Sequence, residues 1–220
     1  MSGREKLGSY LLTWPDGVFP LGGDTLALGE FSTVRRGWRV CDLGTGSGAL
    51  LLLLAGRQEQ LTLTGIELDP VAAETARDNL AANGLLGEIL TQDLRTAALP
   101  AGRFDLVISN QPYFAAGTGG DGGAARMERG TLVQLCKAAA RLLKNGGRFA
   151  LCHRPERLCD LMCVLRECGL EPKRMQLLAH MPGCGPSTVL LEAVRQGRPG
   201  LEILPTAYHE AGSMETKEKG

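Results

Sequence analysis

A chain of 220 residues with 44% hydrophobic and 22% charged residues fits one soluble domain with a full core, which excludes fibrous and disordered classes. Its longest apolar run, Ala49 to Ala55, is too short to span a bilayer, and no signal-peptide core follows Met1 to Lys6, so a cytoplasmic location is expected. Equal numbers of basic and acidic residues, 24 of each, exclude a bulk electrostatic pull on nucleic acid.

Residues 1–38 read as a short N-terminal flap over a main domain. Tyr10–Trp14 is a candidate strand, Pro15-Asp16-Gly17 a turn and Phe19-Pro20-Leu21 a second short strand. Asp24-Thr25 then starts a helix carrying Leu26, Leu28 and Phe31. From Arg39 onward strands and helices alternate, beginning with a strand at Val40–Leu43, a helix at Ala49–Arg57 and a strand at Leu61–Glu67. Asp69 caps the next helix, Pro70 occupies its first turn, and Gly84 stops it after Asn83. Glu88–Thr91 and Phe104–Ser109 are the third and fourth strands, and Gly117–Gly123 is the most flexible stretch. Helices over Thr131–Leu143 and Glu156–Cys168 flank a fifth strand, Arg148–His153. Lys173–His180 and Thr188–Val194, joined only by a turn-rich segment, predict one antiparallel pairing at the edge. The sum is a mostly parallel sheet with helices on both faces. The main domain is expected over 39–198, followed by a polar, loosely held tail at 199–220 in which Leu201, Ile203 and Leu204 are the packing candidates.

The chemistry gathers at the strand ends. In Val40-Cys41-Asp42-Leu43-Gly44-Thr45-Gly46-Ser47-Gly48 an apolar strand ends in an acid, and glycines at alternate positions lead into a helix. Such a turn lets a ligand press against bare backbone, and phosphate, dinucleotide and nucleoside binders all use one. Glu67 lies about 19 residues beyond Gly48, the spacing at which an acid accepts from ribose hydroxyls. A nicotinamide cofactor satisfies both features equally well. Asp93, after the third strand, is a candidate acceptor for an adenine amino group.

The fourth strand ends in Asn110-Gln111-Pro112-Tyr113, and this segment narrows the choice. An amino nitrogen conjugated to a ring is a poor nucleophile because its lone pair is delocalised. The Asn110 side-chain oxygen and the Gln111 carbonyl, aimed at its two hydrogens, turn the lone pair out of plane and stabilise the developing positive charge. Tyr113 offers a stacking face for a flat base, with Pro112 fixing its direction. A methyl group activated on sulfonium then needs only alignment. No metal is required.

These residues together resemble the class I S-adenosylmethionine-dependent methyltransferases, specifically those with an Asn-Pro-Pro-Tyr segment that methylate planar amino groups. Within that class the chain is most similar to the bacterial transfer RNA adenine-N6 methyltransferases acting at position 37 of a valine tRNA. The closer likeness rests on Phe19-Pro20-Leu21-Gly22-Gly23-Asp24-Thr25-Leu26-Ala27-Leu28, Asn110 to Phe114, Ala125-Arg126-Met127-Glu128 and Gly200-Leu201-Glu202-Ile203-Leu204-Pro205. It covers nearly the full chain, with Gln111 standing where the family has its first proline. The resemblance implies a doubly wound, Rossmann-like α/β fold with a mostly parallel seven-stranded sheet and an antiparallel edge strand. It implies S-adenosyl-L-methionine as cofactor, with Asp42, Gly44, Thr45, Gly46, Gly48, Glu67, Leu68, Asp93, Leu94 and Asn110 as candidate contacts. Asn110, Gln111, Pro112 and Tyr113 are then the candidate catalytic residues. The implied partner is RNA, a tRNA anticodon loop whose base can be splayed out, and the implied protein is a monomer with no metal and no membrane attachment.

Other readings remain open from sequence. The acceptor can instead be a protein glutamine amide, although enzymes of that kind carry an extra N-terminal helical domain, or a ribosomal RNA guanine. Because Gln111 removes the rigidity a proline supplies, the chain can also be an S-adenosylmethionine-binding module with little catalysis. Charge distribution bears on the partner. Residues 1–125 hold 9 basic and 14 acidic residues, 126–198 hold 13 and 6, and 199–220 hold 2 and 4. The basic second half makes Arg126, Arg129, Lys137, Arg141 and Arg154 candidate phosphate contacts. The seven cysteines, scattered through apolar segments, read as reduced, buried thiols rather than a disulfide or metal framework.

Overall fold

The computed structural model describes residues 2–110 and 122–208, with side chains of the resumed helix described from Gly130 onward. Gln111, Pro112 and Tyr113 therefore lie outside the described residues, as do the side chains of Arg126 and Arg129 and most of the glycine-rich stretch.

The chain begins with an antiparallel hairpin, β1 (Gly3–Leu7) and β2 (Tyr10–Trp14), and continues into α1 (Gly23–Phe31). The sequence placed the second N-terminal strand at Phe19-Pro20-Leu21; that segment is irregular, and β2 pairs backwards with β1 instead. Pro20 has no N–H to give a ladder, whereas Gly8 turns the hairpin at φ +61°. Strands and helices then alternate through β3 (Arg39–Leu43), α2 (Ala49–Arg57), β4 (Thr62–Glu67), α3 (Pro70–Ala82), β5 (Gly87–Thr91), β6 (Phe104–Ser109), α4 (Gly122–Leu142), β7 (Leu143–His153), α5 (Leu158–Glu167), β8 (Leu170–Ala179) and β9 (Thr188–Arg195). The segment expected as helix from Glu156 starts as a 3-10 turn, Pro155–Arg157, before α5. Strand β7 reaches back past Gly146 to pair Leu143 with Phe104, across a register shift.

The sheet order is β10 (Glu202–Ile203), then β8-β9-β7-β6-β3-β4-β5. Strands β3 to β7 pair in parallel, and β9 runs antiparallel between β7 and β8. Two short strands of the tail, β10 (Glu202–Ile203) and β11 (Ala207–Tyr208), add to the seven long ones on the outer side of β8. The described part of the tail expected to be loosely held, 199–208, is thus bonded to β8, with Leu204 N donating to Met175 O (2.8 Å) and Gln176 Nε2 to Pro205 O (3.0 Å).

Each sheet face carries its own core. One packs α4 and α5, with Phe104, Leu142, Phe149 and Leu165 fully buried. The other packs α1, α2, α3 and the hairpin, with Leu12, Leu28, Leu51 and Ala73 at its centre. Burial on both faces explains the continuous apolar runs of β3, β4 and β6. Residues 1–38 share this second core rather than lying over it.

Two buried polar groups lock the N-terminal segment in place. Asn79 of α3 accepts from Thr13 N (3.0 Å) and Thr13 Oγ1 (2.9 Å), and its Nδ2 donates to Thr13 O (2.8 Å) and Ser47 O (2.9 Å). One turn on, Asn83 exchanges two bonds with the Leu11 backbone. On β9, the fully buried Glu192 accepts from Thr33 N (2.8 Å) and Thr33 Oγ1 (3.0 Å) and pairs with Arg148 at 2.5 Å. Cysteine burial splits, contrary to the uniform expectation: Cys41, Cys136 and Cys152 are buried, but Cys159, Cys163 and Cys184 are exposed. On α5 the inward stripe is Leu161, Val164 and Leu165, and helical spacing leaves Cys159 and Cys163 outside it.

Candidate functional site

A cavity of about 1100 Å³ opens at the carboxyl ends of β3 to β6, where an open parallel sheet offers its ligand crevice. Asp42, Glu67, Asp93 and Asn110, each at or just past the end of a different strand, all line it. So do Gly44, Thr45, Gly46, Leu68 and Leu94; Gly48 does not, and starts α2 behind them. Phe19, Pro20, Leu21 and Thr25, which sequence reasoning grouped with a flap, line the cavity too, as does Gln134 of α4, which it missed.

Local sequence explains the shape of the turn. Gly44, Gly46 and Gly48 have φ of +75°, +54° and +84°, a region that disfavours any side chain. A Cβ on Gly48 would come 3.3 Å from Ala76 Cβ, so that glycine also serves the packing of α2 on α3. Four of the turn's amides are bonded inside the protein. Gly44 N and Thr45 N donate to Ile66 O (2.8 and 3.1 Å), Gly46 N to Glu67 Oε2 (2.8 Å), and Gly48 N to Thr45 O (2.9 Å). At those four positions the turn offers bare backbone and no open donor.

Glu67 is held by that turn and by its own successors. Its Oε1 accepts from Leu68 N (2.8 Å) and Asp69 N (3.0 Å), and its Oε2 from Gly46 N. With two lone pairs per oxygen, one acceptor position remains on Oε2. Asp69 caps α3 as the sequence suggests, accepting from Val71 N (2.8 Å) and Ala72 N (3.4 Å).

Asp42 is the most unusual group in the cavity wall. It is 1% exposed; Oδ2 accepts from Thr45 Oγ1 (2.8 Å), while the buried Oδ1 has no partner. Burial pushes its carboxyl up to about 7 against the restraining Thr45 hydrogen bond, with the Glu67 charge adding to the rise. A carboxylate in this state is primed for a cation.

Asp93 has the opposite surroundings. Arg95 grips it through Nε (2.9 Å to Oδ1, 2.8 Å to Oδ2), through its backbone N (2.8 Å) and through a salt bridge, and these hydrogen bonds lower its carboxyl to about 2. The acceptor that sequence reasoning reserved for an adenine amino group is thus largely taken by an arginine two residues away. Asn110 sits at the boundary between β6 and β7, its Nδ2 donating to Thr25 Oγ1 (2.7 Å) and its Oδ1 accepting from Cys152 Sγ (2.8 Å).

The candidate phosphate contacts divide. Helix α4 leaves the cavity end and returns to the far edge of the sheet, where Arg141 donates to Leu99 O (2.7 Å) and Ala97 O (3.0 Å). That is a structural role, remote from the cavity. Lys137 is exposed in the same far half of α4, whereas Arg154 follows the carboxyl end of β7, next to Asn110's strand. Among the described residues no group of three metal-ligating side chains is present, and no helix is long and apolar enough to cross a membrane.

A family model described as the methyltransferase small domain matches residues 23–162. A tRNA1(Val) (adenine(37)-N6)-methyltransferase of Tolumonas auensis is 35% identical over 178 residues, covering 78% of this chain and 74% of the relative. One of the same name from Porphyromonas gingivalis is 35% identical over 162 residues, covering 69% and 63%. Among solved structures, a predicted O-methyltransferase of Agrobacterium tumefaciens matches with TM-score 0.71 at 25% identity over 86% of this chain and 89% of that one. A 16S rRNA N2 methyltransferase of T. thermophilus, solved with AdoMet and guanosine, shares the fold with TM-score 0.64 at 23% identity, over 89% of this chain and 50% of that one. The family model begins at α1, so the helix assigned from sequence to a flap falls inside the matched region, and this chain belongs to the methyltransferase small domain family.

Proposed function

We propose that the protein transfers a methyl group from S-adenosyl-L-methionine to the exocyclic amino group of an adenine in tRNA, at position 37 of a valine tRNA. The observation that carries this reading is one cavity that joins a buried, unpartnered carboxylate oxygen on Asp42 to the amide of Asn110 across neighbouring strand ends. The curated relatives' names support the acceptor.

The donor set suits a cationic nucleoside rather than a dinucleotide. A pyrophosphate needs open amides and positive charge, but the turn's amides at 44, 45, 46 and 48 are already bonded and Asp42 and Glu67 face the same space. An amino acid carrying a protonated amine and a sulfonium complements those acids. When bound, S-adenosyl-L-methionine supplies a methyl group already activated on sulfur.

The chain's own residues do the rest. Asp42 Oδ1 would take the ammonium, and the spare acceptor position on Glu67 Oε2 a ribose hydroxyl. Gly46 permits close approach, since a Cβ there would point into open space. Asn110 Oδ1, which keeps one lone pair beyond its bond to Cys152, would accept from the target amine and favour the charge that grows on it. Asn110 is no base, so the alkylated nitrogen, a strong acid once cationic, sheds its proton to solvent. Gln111, Pro112 and Tyr113 complete the candidate base-handling segment, with the Gln111 carbonyl as second acceptor.

The test is transfer of isotope-labelled methyl groups onto total RNA from a strain lacking the gene, followed by nucleoside analysis. Label recovered as N6-methyladenosine in tRNA is the expected result. Label in protein glutamine or in ribosomal RNA guanine would redirect the acceptor, and tight cofactor binding with no transfer would mean a binding module.

A further inference from the structure

Asn110 is gripped from two sides by elements that the glycine turn and the strand-end acids do not involve. Its Nδ2 donates to the hydroxyl of Thr25, in the first turn of α1, at 2.7 Å. Its Oδ1 accepts from the thiol of Cys152, at the end of β7, at 2.8 Å. Cys152 is buried, and α1 is itself anchored next to Thr25, where Thr188 Oγ1 donates to Asp24 Oδ1 at 2.9 Å. At its far end Ser32 N and Oγ both donate to Leu28 O, and Thr33 is bonded to the fully buried Glu192.

We infer that Thr25 and Cys152 are positioning residues that fix the plane of the Asn110 side-chain amide before an acceptor amine arrives. This rests on the proposed role of Asn110 in holding that amine. A primary amide has two donor hydrogens and two acceptor lone pairs. Thr25 and Cys152 use one of each from opposite sides, so rotation about the Cβ–Cγ bond breaks both contacts at once. The remaining lone pair then has one direction in which to act, and a rate that depends on aligning nitrogen, carbon and sulfur depends on that direction. The helix α1, placed in the sequence far from β6, is therefore part of the reactive centre, and the buried Cys152 thiol has a function there.

The test uses the full chain. Thr25→Val replaces the hydroxyl by a methyl of the same shape and is expected to lower kcat by about 10- to 100-fold, with cofactor Kd within about 2-fold of wild type. Thr25→Ser and Cys152→Ser keep a hydroxyl at each position and are expected to recover most of the rate, whereas Cys152→Ala is not. A valine variant with wild-type kcat, or serine variants no better than the apolar ones, would overturn the assignment. A second readout needs no substrate. In 15N-labelled protein the Asn110 side-chain NH2 protons should exchange with water at least about 10-fold faster in Thr25→Val while the β6 backbone amides keep their protection. Unchanged side-chain exchange overturns the clamp even if the variant is slow. Should wild-type protein transfer no methyl group to RNA, the proposed activity fails and the exchange result still decides the clamp.

Discussion

Asp42 gives a prediction with a magnitude and a sign. Its carboxyl has an ordinary value of 3.8 in the unfolded chain and about 7 in the folded, unliganded one. Below the lower value both states are protonated and Asp42 contributes no pH dependence. Between the two the unfolded chain gives up its proton while the folded chain keeps it, so stability falls as pH rises; above about 7 the fall is complete. Three units at about 1.4 kcal/mol each set the whole loss near 4 kcal/mol, and between about pH 5 and about pH 8 it amounts to about 3 kcal/mol. Asp42→Asn removes this ionisation. Its Oδ1 can still accept from Thr45, while its NH2 loses a pH-independent amount, about 1–3 kcal/mol, for want of an acceptor. The quantity to follow by thermal unfolding is therefore the difference in Tm between variant and wild type at the two pH values. For a chain of this size the variant should gain on the wild type by roughly 5–10 °C on going from the lower to the higher pH. The same ionised carboxylate would hold the cofactor's ammonium, so wild-type affinity for S-adenosyl-L-methionine should rise through the same interval and the variant's should not. A Tm difference that is flat with pH would refute the reasoning, because it would mean Asp42 ionises freely in the folded chain.

Three further outcomes follow from the same contacts. Asn110→Ala should reduce methyl transfer by at least about 100-fold while calorimetry finds cofactor affinity nearly unchanged, since the side chain acts on the acceptor and not on the cofactor's acids. Asn79→Ala should cost about 2–4 kcal/mol in urea unfolding, because it leaves the Thr13 backbone and Ser47 O without their partner. Glu192→Gln should cost about 3–5 kcal/mol by the same measurement, since a fully buried carboxylate that pairs with Arg148 leaves an uncompensated guanidinium when neutralised.

What the sequence disclosed and what it hid follow one physical division. Asp42, Glu67 and Asn110 were legible because each ends an apolar strand, and parallel strands bring their ends to one edge. The cap at Asp69 and the stop at Gly84 were legible because both are local. Strand β1 was not: Gly-Arg-Glu-Lys-Leu buries only Leu7, so no alternation marks it. Strands β10 and β11 pair through backbone while Ile203 and Tyr208 stay exposed, and backbone pairing leaves no trace in side-chain pattern. Arg95 on Asp93 was within reach, two residues away, and a basic side chain that close to an acid is itself a warning that the acid is occupied. The exposure of Cys159 and Cys163 was also readable from the period of α5.

The helix α1 shows most clearly what a one-dimensional reading omits. Preceding the glycine turn and short, it reads as a flap. A flap must part from the body at the cost of a few exposed contacts. This helix instead holds Thr188 at one end and, just past the other, a buried carboxylate, with Arg57 Nη1 donating to Ser32 O at 2.8 Å. Breaking that end would deprive the buried Glu192 of its two Thr33 donors, a cost of about 1–3 kcal/mol. Its partners on β8 and β9 lie about 140 to 165 residues further along the chain, beyond any local pattern. A segment bound in this way forms a fixed wall of the cavity.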